Sequence, residues 1–499
     1  MGIRYNMKEV KPKDWIEAFN KEIEQRKDKF KLLIEDGYNL THHDLDAAAD
    51  ALTDSMKEAT AKVAPIRNPC ARSKPWWDGS CATALNRVQQ AERAKRSHRM
   101  ENGFASEWLE KCAKHEQNHF HRLTKWKKQE WAVKMVEEAH PEDMYSFRKW
   151  SKGGRQYPMP AIDRPGQAPA TTHAEKCKAL RDELYQPPPE LPDEFPVNLT
   201  DTLPGDIPFQ DITDTEVAEA IADTSNTSAP GFSQQSYRQV KWAFQSQRDI
   251  MTALYRQCLH TGYHPVTWRK AIAVALRKPR KPDYSKPRAY RLITLLECLG
   301  KILEKIVARR LQYMASVHDL IPAQQFGGRT GLSTTDAILS FVNDVQAAWN
   351  RDMVTSALTF DIKGFFDFVN HDRLLSELRR KGIPLQMVKF IKNFLTDRKA
   401  AVCVDGIIST LEDVTNGTPQ GSPLSPILSA FYAAELLETL ECKSQELQKA
   451  PGSDGEKTPP PNLFIQGPVP KPHAYDVQEL CSASYDLCKR RMVDWEEEP

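Results

Sequence analysis

The part of the sequence that most constrains the fold is residues 416–426, which read Asn-Gly-Thr-Pro-Gln-Gly-Ser-Pro-Leu-Ser-Pro. Two glycines and three prolines within eleven residues predict a tight, stiff turn. The residues that follow, up to Leu440, are mostly apolar and long enough for a helix. The order of glycine, proline and glutamine is too specific for an ordinary connection. We therefore expect a shaped loop that leads into a helix.

A second segment contains an acidic residue directly after a predicted strand. Residues 356–360 alternate between polar and apolar side chains, as half-buried strands do. Asp361 follows, and then Ile362 and the sequence Lys-Gly-Phe-Phe-Asp. A carboxylate at a strand end can hold a divalent cation that keeps open positions for phosphate oxygens. A single aspartate at this position can equally well cap a turn, and the residues alone leave both readings open.

A third segment, residues 268–311, combines a predicted strand with a dense group of cations. Residues 271–276 predict the strand, and Lys278 opens the basic loop behind it. Arg291 comes next, ahead of a helix that we expect from Leu295 to Leu311. An arginine at a helix entrance can hold the phosphates of a nucleoside triphosphate. The alternative is a solvated basic loop.

A fourth segment is rich in glycine and lies at residues 325–336. Its glycines allow the backbone to approach a phosphate chain, and Arg329 supplies a positive charge. The spacing of Ser333 and Asp336 also fits a capping box at the start of a helix. A further turn, residues 228–233, follows a predicted helix at residues 216–221.

Bulk composition sets only wide limits. The 499 residues suffice for two or three domains, and 69 basic against 67 acidic residues give a net charge of only +2. The ten cysteines are scattered without a Cys-x-x-Cys pair, which suits reduced thiols in the cytosol or nucleus. No run is apolar enough to cross a bilayer, and the first residues lack a signal-peptide core. We therefore expect no membrane partner.

The N-terminal half predicts helices. Apolar spacing indicates two helical segments within residues 14–64. Residues 81–140 contain many Lys, Arg, His and Trp and almost no Pro or Gly, which predicts a long helix or a helical hairpin. Its charges could form a solvated helix face or a surface that follows phosphates, with tryptophans that stack or pack. The sequence does not separate these readings.

Proline content predicts the domain boundaries. Residues 187–209 are dense in proline and predict a stiff linker. We expect a helical, basic connector region at residues 1–186 and the domain with the four segments at residues 210–442. Residues 443–499 are expected to form a largely disordered tail.

Taken in order, the segments between residues 210 and 440 resemble the reverse transcriptase domain of non-LTR (LINE-like) retrotransposons. The resemblance implies an α+β fold, with right-hand polymerase fingers and a partial palm behind a largely α-helical N-terminal region. It implies an RNA-directed DNA polymerase that adds deoxynucleotides to a primer 3′-hydroxyl by two-metal catalysis with Mg²⁺. The implied partners are an RNA template, a DNA primer and deoxynucleoside triphosphates.

The resemblance also implies roles for single residues. Asp361 would be catalytic and would bind metal together with the backbone carbonyl of Ile362. Phe366 would lie beneath the sugar and exclude a ribose 2′-hydroxyl. The remaining implied contacts, to the nucleotide, the template or phosphate groups, belong to Arg291, Gln420, Gly421, Arg329 and Lys278.

One element of this pattern is absent from the sequence. The retrotransposon domains carry two adjacent aspartates after the segment around Gln420, and no Asp-Asp pair follows Leu440 here. Asp476 and Asp486 each stand alone. We therefore expect a domain truncated after its Gly-x-Pro-Gln-Gly motif, with an incomplete magnesium site and no polymerase activity of its own. The alternatives are a non-catalytic remnant or domesticated fragment that binds nucleic acid, and a translated fragment without function.

Overall fold

The computed structural model describes residues 5–7, 10–35, 40–66, 76–104, 106–137, 158–185, 197–352 and 364–449. Their contacts form two units. The first comprises the described parts of residues 7–64 and 159–499, and the second those of residues 2–6 and 65–158. The domain boundaries predicted from proline content remain a prediction.

The N-terminal part of the first unit consists of three helices, where the apolar spacing predicted two segments. They are α1 (Pro12–Gln25), α2 (Asp28–Glu35) and α3 (His42–Val63). The side chains that set the spacing, including Trp15, Phe19 and Leu52, are buried. Since the apolar period alone does not show a break of two residues, the turn between α1 and α2 was missed.

A buried carboxylate joins α1 to α3. The side chain of Glu22 accepts hydrogen bonds from Lys62 of α3 and from Arg26, whose Nη1 lies 2.7 Å from Oε2. The hydrogen bond from Lys62, and after it the one from Arg26, lowers the pKa of Glu22 to about 2. A buried charge needs partners of this kind, because an unpaired one would be costly.

The second unit contains a helical hairpin, as residues 81–140 predicted. Its helices are α4 (Gly79–Asn102) and α5 (Glu107–Glu137). Asp78 caps α4 by accepting from the backbone N–H groups of Ser80 and Cys81. Within this hairpin the structure buries small side chains along the line where the helices meet: Cys81, Ala84, Ala113 and Thr124. The basic residues remain outside this line.

The rest of the first unit is an α+β structure, in agreement with the predicted class. Its strands are β1 (Ile162–Arg164), β2 (Gln167–Ala170), β3 (Lys270–Arg277), β4 (Tyr290–Leu295), β5 (Arg398–Val404), β6 (Ile407–Ile408) and β7 (Glu412–Val414). Its helices are α6 (His173–Leu184), α7 (Asp214–Ala222), α8 (Tyr237–Ser246), α9 (Arg248–His260), α10 (Cys298–Val317), α11 (Thr334–Trp349), α12 (His371–Arg380), α13 (Leu385–Leu395) and α14 (Ser425–Lys449). Among the described helices, none combines the length and apolar character that a membrane crossing requires.

The central sheet has the order β4-β3-β5-β6, and β7 pairs with β5. Strand β3 covers the predicted strand at residues 271–276, antiparallel to β4 and parallel to β5. Arg291 lies within β4, opposite Leu276, so its predicted position at a helix entrance is wrong. Residues 290–295 form a strand that pairs with β3, so their successive side chains point alternately to the two faces of the sheet and alternate in burial. Helix α10 begins only at Cys298.

One face of the sheet packs against α6 and β1. The buried residues of this cluster include Ile162, Leu180, Ala273, Tyr290 and Val402. Residues 159–185 therefore belong to the same packed unit as the sheet, although they precede the proline-rich segment in the sequence. Residues 187–196 of that segment lie outside the described residues.

Candidate functional site

A cleft of about 910 Å³ lies beside strands β3 and β4. Its walls come from segments far apart in the sequence: the basic loop after β3, strand β4, the glycine-rich loop, the turn at residues 364–367, the loop before α14 and parts of α6, α11 and α14. The polar and aromatic residues in its lining include Tyr185, Lys278, Lys281, Arg291, Gln325, Phe366, Asp367 and Gln420. Its size is typical of small-molecule sites, which occupy about 300–1,000 Å³.

Two of these segments are joined by a side-chain hydrogen bond. The Nε2 atom of Gln420 donates to Oδ1 of Asp367 at 2.7 Å. Nearby, the backbone N–H of Thr418 donates to the carbonyl of Phe366 at 2.7 Å. Gly417 has φ +66°, and a Cβ at this position would lie 2.5 Å from the carbonyl oxygen of Phe366. The close approach of the two segments thus requires glycine at position 417.

The same loop is fastened to strand β4. The backbone N–H of Thr294 donates to the carbonyl of Gln420 at 2.8 Å. Gly421 has φ +146°, and a Cβ there would meet the carbonyl oxygen of Thr294 at 2.2 Å. Gly421 therefore lets the loop lie directly against the strand that carries Arg291.

The cleft is electropositive. Lys278, Lys281 and Arg291 face one acidic residue, Asp367, among its described lining residues. Burial, and after it the charge of Arg291, lowers the pKa of Lys278. Burial raises the pKa of Asp367, and the hydrogen bond from Gln420 opposes this effect. An anionic ligand would relieve the repulsion among the cations, so the lining favours a phosphate-bearing molecule.

Four of the residues predicted for the site come together in this cleft, namely Lys278, Arg291, Phe366 and Gln420. Gly421 lies next to them against β4. Arg329 lines a different cavity, and its Nη1 donates to the carbonyl of Pro322 at 3.3 Å. Asp361 and Ile362, and the strand predicted at residues 356–360, lie outside the described residues.

Tyr185 lines the cleft but was not predicted. It follows helix α6, and burial raises the pKa of its hydroxyl to about 12. Nothing in the local sequence connects this tyrosine with Lys278 or Gln420, because only the packing of α6 against the sheet brings them together. The acceptor role of Asp367 toward Gln420 was missed for the same reason.

The described residues do not form a metal site. No group of three His, Cys, Asp or Glu side chains within the described ranges could hold a metal ion. Asp367 already accepts the amide of Gln420, and burial raises its pKa, so its carboxylate is a poor cation ligand. The ligands implied by resemblance, Asp361 and Ile362, belong to the part of the chain that is not described.

Comparison with known proteins identifies the class of this domain. Residues 278–449 match the family described as reverse transcriptase (RNA-dependent DNA polymerase). This range contains strands β4 to β7 and nearly all of the cleft. Proteins of this family generally use divalent metal ions.

The similar proteins come from mobile elements. The RNA-directed DNA polymerase from mobile element jockey of Drosophila funebris is 25% identical over 407 residues, covering 79% of this chain and 43% of that protein. Its counterpart from Drosophila melanogaster is 29% identical over 302 residues, with 58% and 33% covered. The probable RNA-directed DNA polymerase from transposon X-element of Drosophila melanogaster is 29% identical over 238 residues, with 48% and 26% covered.

Residues 278–449 therefore form a reverse transcriptase domain, and it is similar to the domains of proteins from non-LTR retrotransposons. The chain spans from about a quarter to less than half of the length of these relatives.

Proposed function

We propose that the cleft binds a deoxynucleoside triphosphate and that the domain derives from an RNA-directed DNA polymerase acting on an RNA template and a DNA primer. The observation that carries this proposal is the arrangement of Arg291 and Lys278 on one wall and Phe366 and Gln420 on another, around one cavity. Charge-assisted hydrogen bonds from Arg291 and Lys278 would hold the phosphates.

The other wall would hold the base and sugar. Phe366 offers a ring at the turn that follows Asp361 by a few residues in the sequence, and by resemblance it would lie beneath the sugar. Gln420 is fixed by Asp367, which supports a role for its backbone and for Gly421 in shaping the surface on which the nucleotide rests. A fixed wall of this kind lowers the entropic cost of binding.

We further propose that a polypeptide with this sequence does not extend a primer by itself. The sequence has no Asp-Asp pair after Gln420, and the described residues around the cleft offer no carboxylate group suited to a cation. Two divalent ions about 4 Å apart need several carboxylates to balance their charge. Template-dependent primer extension in Mg²⁺ or Mn²⁺ that disappears in Asp361→Ala would contradict this proposal.

Competitive acylation of lysines tests triphosphate binding without relying on activity. Because its pKa is lowered, Lys278 is expected to react faster than an ordinary lysine of similar exposure. A deoxynucleoside triphosphate is expected to protect Lys278 and leave Lys301 on α10 unchanged. Mass spectrometry of the labelled peptides gives the rates. Equal rates at Lys278 with and without triphosphate would overturn the proposed site.

A variant pair sharpens this test. Arg291→Ala is expected to weaken triphosphate protection about 10- to 150-fold, which corresponds to about 1.5–3 kcal/mol for a charge-assisted hydrogen bond. Arg122→Ala removes an exposed arginine from the helical hairpin and serves as the matched control. Equal protection constants for the two variants would show that Arg291 does not contact the ligand.

A second candidate function, non-catalytic nucleic-acid binding, rests on the helical hairpin of the second unit. Residues 79–137 carry 12 Lys or Arg and 7 Asp or Glu, and few of their side chains are buried. Arg93, Arg96 and Arg99 are exposed at three-residue spacing on α4. Such a row of arginines supports binding to the phosphates of a nucleic acid. The affinity of such binding falls steeply as the salt concentration rises.

Replacement of these three arginines by glutamine tests this second function. The affinity of the chain for RNA is expected to fall. The plot of log affinity against log salt concentration is expected to become less steep, its slope falling in magnitude by about three. An unchanged slope would identify the charges as an ordinary solvated helix face.

A further inference from the structure

A second cavity, of about 320 Å³, lies where helix α10, the glycine-rich loop and the start of α14 meet. None of its described lining residues lines the cleft discussed above. The residues that line it are Arg309, Gln312, Tyr313, Ala315, Ser316, Arg329, Thr330 and Ile427. Arg329, which the sequence placed among the template or phosphate contacts, thus belongs to this cavity.

Two hydrogen bonds fix the shape of the cavity. The Nε2 atom of Gln312 donates to the carbonyl of Gly328 at 3.4 Å, and the hydroxyl of Thr330 donates to Oε1 of Gln312. Gly328 has φ +76°, and a Cβ there would lie 3.0 Å from the carbonyl oxygen of Pro426. Helix α10, the loop and the segment before α14 are therefore held against one another, so the cavity is a preformed feature of the fold.

The lining combines an aromatic ring with positive charge. Tyr313 is 69% exposed and has no hydrogen-bond or ring partner among the described residues. Arg309 pairs with Asp223 at 2.9 Å, while among the described residues the guanidinium of Arg329 contacts only the carbonyl oxygen of Pro322. The described part of the lining includes two arginines and no carboxylate.

This combination fits one class of ligand. A flat, accessible ring offers a platform for a nucleobase, and stacking of this kind depends little on which base is present. The guanidinium of Arg329 has donors left for a phosphate oxygen, and Arg309 adds positive charge on the same helix as Tyr313. An apolar ligand would gain little from two arginines, and a free phosphate would gain little from the ring.

We propose that this cavity is a subsite for one nucleotide of a single-stranded RNA, with Tyr313 stacked on its base and Arg329 bound to its phosphate. The proposal rests on the proposed function, because the RNA would be the template strand. It adds a binding site outside the triphosphate cleft and identifies Tyr313 as the residue on which a base stacks.

Fluorescence anisotropy with the full chain and a labelled RNA of about 12 nucleotides tests the proposal, since single-strand sites span about 4–16 nucleotides. Tyr313→Ala is expected to weaken binding about 5- to 150-fold, which corresponds to about 1–3 kcal/mol for one stacked base. Tyr313→Phe keeps the ring and is expected to bind like the wild type. Trp349→Ala is the matched control, because Trp349 is 65% exposed and lines neither cavity.

An abasic oligonucleotide of the same length separates the base from the phosphates. Without bases, the wild type and Tyr313→Ala are expected to bind equally, while Arg329→Ala still weakens binding. Equal affinity of the wild type and Tyr313→Ala for the normal RNA overturns the subsite, and so does a wild-type chain that binds no RNA. Lysine protection by triphosphate is measured without RNA, so failure of the proposed function is detected separately from failure of this subsite.

Discussion

Replacement of Gln420 by leucine removes the amide that donates to Asp367 while it keeps a side chain of similar size. The carboxylate of Asp367 then loses a charge-assisted hydrogen bond, which contributes about 1.5–3 kcal/mol. The hydrogen bond from Gln420 lowers the pKa of Asp367 and so opposes the effect of burial, and its loss should therefore raise this pKa further. The free energy of unfolding should therefore fall by about 1.5–3 kcal/mol at neutral pH.

The pH dependence of this loss follows from the direction of the pKa shift. The deficit is complete where Asp367 is ionised in both proteins, above its raised pKa in the folded state. It fades as the pH falls through that value, and it is nearly absent below about pH 3.9, the ordinary pKa of an aspartate. Urea denaturation at neutral pH and at about pH 4 measures both limits.

A matched glutamine provides the control. The Nε2 atom of Gln325 donates to the carbonyl of Gly327 at 3.0 Å in an exposed position. Gln325→Leu is therefore expected to change the unfolding free energy by no more than about 0.5 kcal/mol. If Gln420→Leu and Gln325→Leu destabilise equally, or if the deficit of Gln420→Leu does not vary with pH, the role assigned to the bond with Asp367 is refuted.

Three further predictions concern stability. Gly421→Ala should lower the free energy of unfolding by at least about 2 kcal/mol, because its Cβ would overlap the carbonyl of Thr294. Gly79→Ala has free space around its Cβ and should be neutral or stabilising. Thermal denaturation compares the two variants. Glu22→Gln should lower the free energy of unfolding by about 1.5–3 kcal/mol at neutral pH. The stabilisation that comes with the lowered pKa of Glu22 is present above about pH 4.5 and is lost as the pH falls toward about 2. An equal loss at all pH values would contradict this. Ser333→Ala removes the capping box of α11 and should lower the free energy of unfolding by about 1 kcal/mol, as measured by urea denaturation. An unchanged free energy would show that the cap does not stabilise the helix.

Local features of the fold were predictable from the sequence. The strand at residues 271–276, the helix at residues 216–221 and the helical hairpin all follow from apolar period or from the absence of proline and glycine. The capping box at Ser333 was likewise visible, because a cap involves residues only three positions apart.

Long-range pairing was not predictable in the same way. Arg291 was expected at a helix entrance, and it lies in β4 because residues 290–295 pair with β3 across the sheet. Strand β5 lies parallel to β3, although more than a hundred residues separate them. Tyr185 enters the cleft only because α6 packs on the sheet. Pattern within a short window carries no information on such contacts.

The candidate site followed from resemblance more than from spacing. Lys278, Arg291, Phe366 and Gln420 were named because their segments occur in a known order, and the structure brings them to one cleft. The hydrogen bond that fixes Gln420 on Asp367 was not foreseen, because the two residues are 53 positions apart. Asp361 lies outside the described residues, so its proposed role as metal ligand remains a prediction.

The proposed function requires that the cleft bounded by Arg291 and Gln420 binds a deoxynucleoside triphosphate. Photo-crosslinking of a photoreactive deoxynucleoside triphosphate to the full chain, followed by peptide mapping, tests it most directly. Saturable labelling is expected within residues 364–367 or at Tyr185 or Gln420, and it should be competed by unlabelled triphosphate and weakened in Arg291→Ala. Labelling that does not saturate, or that falls on the helical hairpin at residues 79–137 instead, would show that the cleft does not bind the triphosphate.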